Sequence, residues 1–154
     1  MTEVGGTPRF VADHMLGSLA RWLRIMGYDT VYDKSLDDPG IANLARAESR
    51  FILTRDRELA KEPGALMIEA DDLDLQLKAI AEKYGLKFHD DLIRCSACNG
   101  DLADLDKAQA KESVPEGAFE NNDKFWKCSK CGKVYWKGTH WHGIMDRFRR
   151  LSLV

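Results

Sequence analysis

Four cysteines, all in the back half of the chain, form two pairs with two residues between partners: Cys95-Ser-Ala-Cys98 and Cys128-Ser-Lys-Cys131. No cysteine is left over. That spacing lets both sulfurs of a pair reach one metal from a tight turn, and two such turns close a tetrahedral four-cysteine site for Zn²⁺. The long interval between the pairs suits a zinc ribbon, in which each pair lies on a hairpin knuckle. The competing reading, two redox disulfides, wants a thioredoxin-like setting that the surrounding sequence does not supply. Cys95, Cys98, Cys128 and Cys131 are therefore expected to hold a structural zinc.

A length of 154 residues suggests one domain, or one domain with a small module. The back third is too polar for a large core of its own, and a metal would make up the deficit. No apolar run approaches the about 18 residues of a membrane span, and no signal peptide precedes the first structured segment. Together with thiols kept reduced on zinc, this points to the cytoplasm and to no membrane partner.

The formal net charge of −2 hides an asymmetry. Residues 1–90 carry 12 basic and 16 acidic side chains, whereas residues 124–154 carry eight basic side chains against Asp146 alone. Trp126, Tyr135, Trp136 and Trp141 are interleaved with those cations. Basic and aromatic side chains together suit phosphates and unstacked bases, with Lys133 and Trp136 as the contacts expected here. The alternative is that the aromatics pack around the metal as the core of a small ribbon.

Residues 1–8 read as an irregular start. Arg9–Ala12 reads as a buried strand ending at Asp13, and Leu16, Leu19, Ala20, Leu23 and Met26 recur at helical spacing until Gly27. Thr30–Tyr32 is a second strand. Asp38-Pro39 opens a helix, with Asp38 as N-cap and Pro39 at the first helical position. Phe51–Thr54 and Ala65–Ile68 are further strands, and a helix capped by Asp71 or Asp72 ends near Gly85. Strands alternating with helices predict an α/β fold, a parallel sheet with helices on both faces. From Ile93 onward the pattern is that of ribbon knuckles, and the acidic stretch 99–123 reads as a loop or loose insert. A last amphipathic helix is expected from about His142 to Leu151. This divides the chain into 9–90 and 91–154.

In open parallel sheets, sites form beyond the carboxyl ends of the strands. Asp13 follows the first strand, Asp56 follows the third, and Asp38 opens the helix that leads into the third. Clustered carboxylates repel one another unless a cation sits among them, and oxygen-only donors suit Mg²⁺ or Mn²⁺. Such ions serve phosphate chemistry. Any one of these acids is equally well explained as a helix cap. Asp71, Asp72 and Asp74 are read as caps, and Arg21 and Arg24 as a solvated helix face. His14, His140, His142 and His89 read as surface or interdomain residues.

Phe10-Val-Ala-Asp13, then Leu16-Gly-Ser-Leu-Ala-Arg-Trp-Leu-Arg-Ile-Met-Gly-Tyr-Asp29, resembles the opening of the Mut-seven C-terminal RNase domain family. Ile52-Leu-Thr-Arg-Asp-Arg-Glu-Leu59 resembles its second hallmark, and the two cysteine knuckles with Gly138-Thr-His-Trp141 resemble its ribbon. The resemblance runs from about residue 9 to 150. It implies a PIN-like nuclease domain, 9–90, followed by a zinc ribbon with a C-terminal helix, 91–154. It also implies a Mg²⁺- or Mn²⁺-dependent ribonuclease, with Asp13, Asp38 and Asp56 as catalytic acids and metal ligands. Thr54 and Arg55 would shape the turn and touch phosphate. The ribbon would hold single-stranded RNA. The general PIN pattern has one more acid, a Glu on an intervening helix. No residue here matches it, so a single metal, or help from Asp33 or Asp37, is the expectation.

Two other classes compete. One is a catalytically weak RNA- or ribosome-binding adaptor that works through the ribbon. The other is a phospho-receiver with Asp56 as acceptor. A receiver should show paired acids after its first strand and a Lys after its last, whereas here Asp13 is single and no such Lys is evident, so this reading ranks last. An exposed sheet edge leaves room for a dimer.

Overall fold

The computed structural model describes residues 6–88 and 92–154. Residues 1–5 and 89–91, with His89 and much of the irregular start, lie outside the described residues. Strands β1 (Phe10–Ala12), β2 (Thr30–Val31), β3 (Phe51–Thr54) and β4 (Ala65–Met67) form a parallel sheet in the order β2-β1-β3-β4. Alternation along the strands divides the core into two layers. Phe10, Ala12 and Leu53 enter one layer, Val11 and Ile52 the other. Helices α1 (Gly17–Ile25) and α3 (Leu73–Tyr84) cover the first with Leu19, Leu23, Leu77 and Ile80, while α2 (Asp38–Glu48) covers the second with Ile41 and Ala45. The expected α/β architecture, with helices on both faces, is the observed one.

The helix termini follow local chemistry. Gly85 takes a left-handed conformation (φ +70°) to end α3, which glycine adopts without steric cost. The start of α2 corrects the sequence reading. Asp37 is its N-cap, accepting a hydrogen bond from Gly40 N at 2.8 Å, and Asp38 is already the first helical residue. Adjacent aspartates before Pro39 offer two cap registers. Either register keeps Pro39 in the first turn, where its missing N–H costs nothing, and the chain takes the one in which the Asp37 carboxylate reaches Gly40 N.

The stretch 99–123 is also more ordered than its composition suggests. Strand β5 (Leu102–Leu105) pairs antiparallel with β6 (Phe125–Cys128), which pairs with β7 (Val134–Tyr135). Short helices α4 (Lys107–Ala110) and α5 (Glu116–Asn121) lie between β5 and β6. β5 is an edge strand with Ala103 and Asp104 exposed, so its two leucines lack the alternation that marks a strand in sequence.

Helix α6 (Trp141–Arg150) buries Trp141, Met145 and Phe148. Phe148 meets the Trp22 ring edge-on at 5.7 Å and lies 4.9 Å from Phe88. Trp126, Trp141, Met145, Phe148 and Leu153 join Phe10 and Leu23 in a single apolar cluster. A ribbon too polar to build a core of its own thus shares the core of the sheet.

Arg24 overturns the expectation of a solvated helix face. It is buried, donating from Nε to Thr30 O at 2.9 Å and from Nη1 to Ser96 O at 3.1 Å, so it ties α1 to β2 and to the first cysteine knuckle. Burial pulls its pKa below the ordinary arginine value, while Cys95, Cys98 and Asp29 pull the other way. Asn99, left-handed at φ +72°, adds a second tie: its Oδ1 accepts from Thr30 N at 2.9 Å and its Nδ2 donates to Asp29 at 2.7 Å.

Asp29 also accepts from Arg50 Nη1 at 2.8 Å. Burial pushes its pKa up, but the hydrogen bonds from Arg50 and Asn99 outweigh burial and hold it at about 2. A carboxylate depressed in the folded state contributes stability in full above its unfolded pKa, near 4, and loses it as pH falls through the folded value. Between about pH 4 and 2 the protein should lose roughly 1–2 kcal/mol from this group. Urea midpoints across that range test this. Asp29→Asn should be less stable near neutral pH and should lack this share of the acid loss.

Candidate functional site

Parallel register brings the ends of β1 and β3 side by side. Ala12 pairs with Leu53, and Asp13 N donates to Leu53 O at 2.9 Å, which sets the Asp13 carboxylate across from Thr54. Asp13 is only 8 % exposed. Its Oδ1 accepts from His14 N at 2.7 Å and caps the short turn His14–Leu16. Its Oδ2 accepts from Thr54 Oγ1 at 2.8 Å. Thr54 is fully buried, and its Oγ1 in turn accepts from Asp56 N at 2.9 Å. One hydroxyl therefore links the two acids that follow the central strands. Asp56 Oδ1 accepts from Glu58 N at 2.7 Å and Leu59 N at 3.2 Å, capping the next turn, and Asp56 is otherwise exposed.

Asp38 differs from both. With Asp37 as the cap of α2, Asp38 has no hydrogen-bond or ion-pair partner among the described residues, and it is exposed. Its carboxyl is nonetheless held above the usual carboxylate range, by desolvation first and then by the charges of Asp56 and Asp13, with His14 opposing. Asp38 thus senses the charges of Asp56 and Asp13 across the carboxyl edge of the sheet. The three acids are not drawn into one tight knot. Among the described residues, only the four cysteines have ligand atoms all within 4.8 Å of one another. Asp38 also borders a shallow hollow of about 310 Å³ with Glu58 and Glu62. A larger hollow of about 640 Å³ lies at the opposite edge of the sheet, near Arg9 and Asp29, and touches none of the three acids.

The neighbouring polar residues are largely committed. Arg55 donates from Nη1 to Ala70 O and from Nη2 to Asp71 at 2.6 Å, pinning the segment between β4 and α3. Of the three acids read as caps there, only Asp72 caps α3; Asp71 pairs with Arg55, and Asp74 pairs with Arg147 and Arg150 at 3.2 Å each. Asp33 accepts from Ser35, and Asp37 is the cap described above. His14 donates from Nε2 to Leu36 O at 2.6 Å.

The four cysteines converge as their spacing predicts. Cys98 and Cys128 lie 3.4 Å apart and Cys95 and Cys131 3.7 Å, sulfur to sulfur. A zinc–sulfur bond of about 2.3 Å implies tetrahedral edges of about 3.8 Å, close to those separations. Gly100 makes room: a Cβ there would lie 2.8 Å from the Cys128 sulfur. Burial opposes ionisation of Cys128, but Lys130 N and Cys131 N donate to its sulfur and bring the thiol down to about 6. Burial pushes Cys98 up to about 12. A tetrathiolate site with N–H donors on the sulfurs suits Zn²⁺.

The ribbon aromatics have different roles. Trp126 and Trp141 belong to the shared core, and Tyr135 packs on it while its hydroxyl sits 2.9 Å from the Cys95 sulfur. Trp136 belongs to neither apolar cluster and makes no ring contact among the described residues. Lys133 lies 5.3 Å over the Tyr135 ring. Both Lys133 and Trp136 line a groove with Arg21, which sequence reasoning set aside. Arg21 and Ile25 share that wall at a spacing of four, a helical-face signal present in the sequence.

Fold and site together define an α/β domain with acids at the carboxyl edge of its central strands, closed by a four-cysteine ribbon. The profile of the Mut7-C RNAse domain matches residues 8–148, so the chain belongs to that family. A human protein named exonuclease mut-7 homolog is 36 % identical over 103 residues, which are 60 % of this chain and 12 % of that protein. No solved structure gives a significant match. No helix among the described residues is long and apolar enough to cross a membrane.

Proposed function

We propose that the protein is a Mg²⁺- or Mn²⁺-dependent ribonuclease whose site is the edge formed by Asp13, Asp38 and Asp56, with a structural Zn²⁺ on Cys95, Cys98, Cys128 and Cys131. The observation that carries this is Asp38. It has no capping role, is exposed, and is held protonated more readily than usual by its own desolvation and by Asp56 and Asp13. An oxygen-only donor set with mutual repulsion suits a hard divalent cation, and such an ion is commonly held by one or two carboxylates with water filling the rest. Three acids that do not converge to within 4.8 Å of one another are compatible with that. Bound there, the ion would neutralise the cluster and polarise a phosphodiester for attack by water.

The protein's own groups prepare this edge. Thr54 fixes the Asp13 carboxylate and the Asp56 backbone with one hydroxyl. Arg55 acts by holding the segment after β4. Lys133 and Trp136 are the proposed RNA contacts on the ribbon. Four thiols kept reduced on zinc fit a reducing compartment such as the cytoplasm.

The adaptor reading has one observation in its favour: Asp13 and Asp56 both cap turns, which explains them without chemistry. Labelled single-stranded RNA incubated with Mn²⁺, Mg²⁺ or EDTA separates the two. Metal-dependent cleavage that disappears in Asp13→Asn and Asp56→Asn supports the nuclease. Retained binding with no cleavage under any metal gives the adaptor.

A further inference from the structure

The groove between α1 and the segment from β7 to α6 has a volume of about 270 Å³. Its walls hold Arg21, Arg94, Lys133, Tyr135, Trp136 and His140, and no Asp or Glu lines it. Arg21 has no hydrogen-bond or ion-pair partner among the described residues, and Lys133 no carboxylate partner. Arg94 is paired at Nη1 with Asn99 O and Asp101, but its buried Nε has no hydrogen-bond partner. Trp136 is the ribbon tryptophan that the core does not use. A protein surface that offers an indole outside the core, beside an unpaired Arg21 and a Lys133 whose ammonium lies over the Tyr135 ring, is suited to take a flat ring and an anion together.

We propose that this groove binds one unstacked nucleotide of a single-stranded RNA, with the base on Trp136 and the phosphate between Arg21 and Lys133. The size is that of a small ligand pocket, too narrow for a duplex. The choice of RNA rests on the nuclease reading above; the groove itself does not. Its position gives it a purpose. α1 starts at the turn capped by Asp13, and Arg21 stands four residues further along, about 6 Å down the helix axis. A strand that continued from the groove along α1 toward its first turn would head for Asp13. The groove is therefore an anchoring subsite apart from the point of cleavage, made jointly by the sheet domain and the ribbon.

The test is equilibrium binding of fluorescein-labelled oligoadenylate to the full chain carrying Asp38→Asn, in buffer without added Mg²⁺ or Mn²⁺, so that cleavage plays no part. Trp136→Ala should weaken binding about tenfold, as loss of one base–aromatic stack does. Trp136→Phe should restore most of it. Arg21→Glu should weaken binding and flatten its salt dependence, since one phosphate contact is lost. Thermal melting and zinc content, unchanged in each variant, show that the fold is intact. Binding by Trp136→Ala and Arg21→Glu equal to that of the parent would overturn the proposal. So would polyglutamate displacing the oligonucleotide at lower concentration than RNA, which would make the groove a site for an acidic protein. If unmodified protein cleaves no RNA yet binding depends on Trp136, the nuclease reading falls and the groove stands. If cleavage needs Asp38 but binding ignores Trp136, the reverse holds.

Discussion

Replacing Cys128 by serine should release zinc and unfold the ribbon, and the damage should spread into the sheet domain. The apparent contribution of a structural zinc, about 10–16 kcal/mol in small fingers, equals or exceeds the whole stability of a typical domain. Here the ribbon also supplies Trp126, and through α6 Trp141, Met145 and Phe148, to the cluster that contains Phe10 and Leu23. Arg24 and Asn99 tie the first knuckle to β2, so the knuckle cannot leave without freeing a buried guanidinium and the Asp29 network. Zinc content, tryptophan emission and thermal melting should all change together. A variant without zinc that keeps the melting profile of the parent would disprove a structural metal.

The second large effect separates two adjacent residues. Asp38→Asn should abolish cleavage while leaving stability within about 0.5 kcal/mol, because it removes an exposed charge that is repelled by Asp56 and Asp13. Asp37→Ala should do the opposite, costing about 0.5–2 kcal/mol through loss of the α2 cap while cleavage below the melting range persists. Denaturant midpoints and initial cleavage rates on the same preparations would show the crossed pattern. If Asp37→Ala silenced the enzyme and Asp38→Asn did not, the roles of the pair would have to be exchanged.

That pair also shows where sequence reading reaches its limit. Both aspartates were visible as candidates, but which one caps depends on which carboxylate reaches Gly40 N. The parallel sheet was legible because Phe10–Ala12 and Phe51–Thr54 are short, apolar and bounded by polar residues. The cysteine cluster was legible because its spacing has few other uses. β5 was not, since an edge strand with Ala103 and Asp104 exposed carries no alternation. Arg24 was hidden because an arginine on a helix is normally solvated. Its burial depends on carbonyls of Thr30 and Ser96, and the latter lies 72 residues away. Arg21 and Trp136 could be flagged as basic and aromatic, but only packing reveals that the core leaves them uncommitted.

The shared core has a consequence for synthesis. Phe88 N donates to Leu153 O at 2.8 Å, and Phe148 packs on Trp22, so the last helix and the residues after it close over α1 and the segment after α3. A ribosome emits about 5–20 residues per second. For the seconds between the appearance of α1 and that of α6, the apolar face of the sheet domain has no lid. The nascent chain should then be open to chaperones and proteases, and zinc supply at that moment should govern yield more than the stability of the finished molecule does.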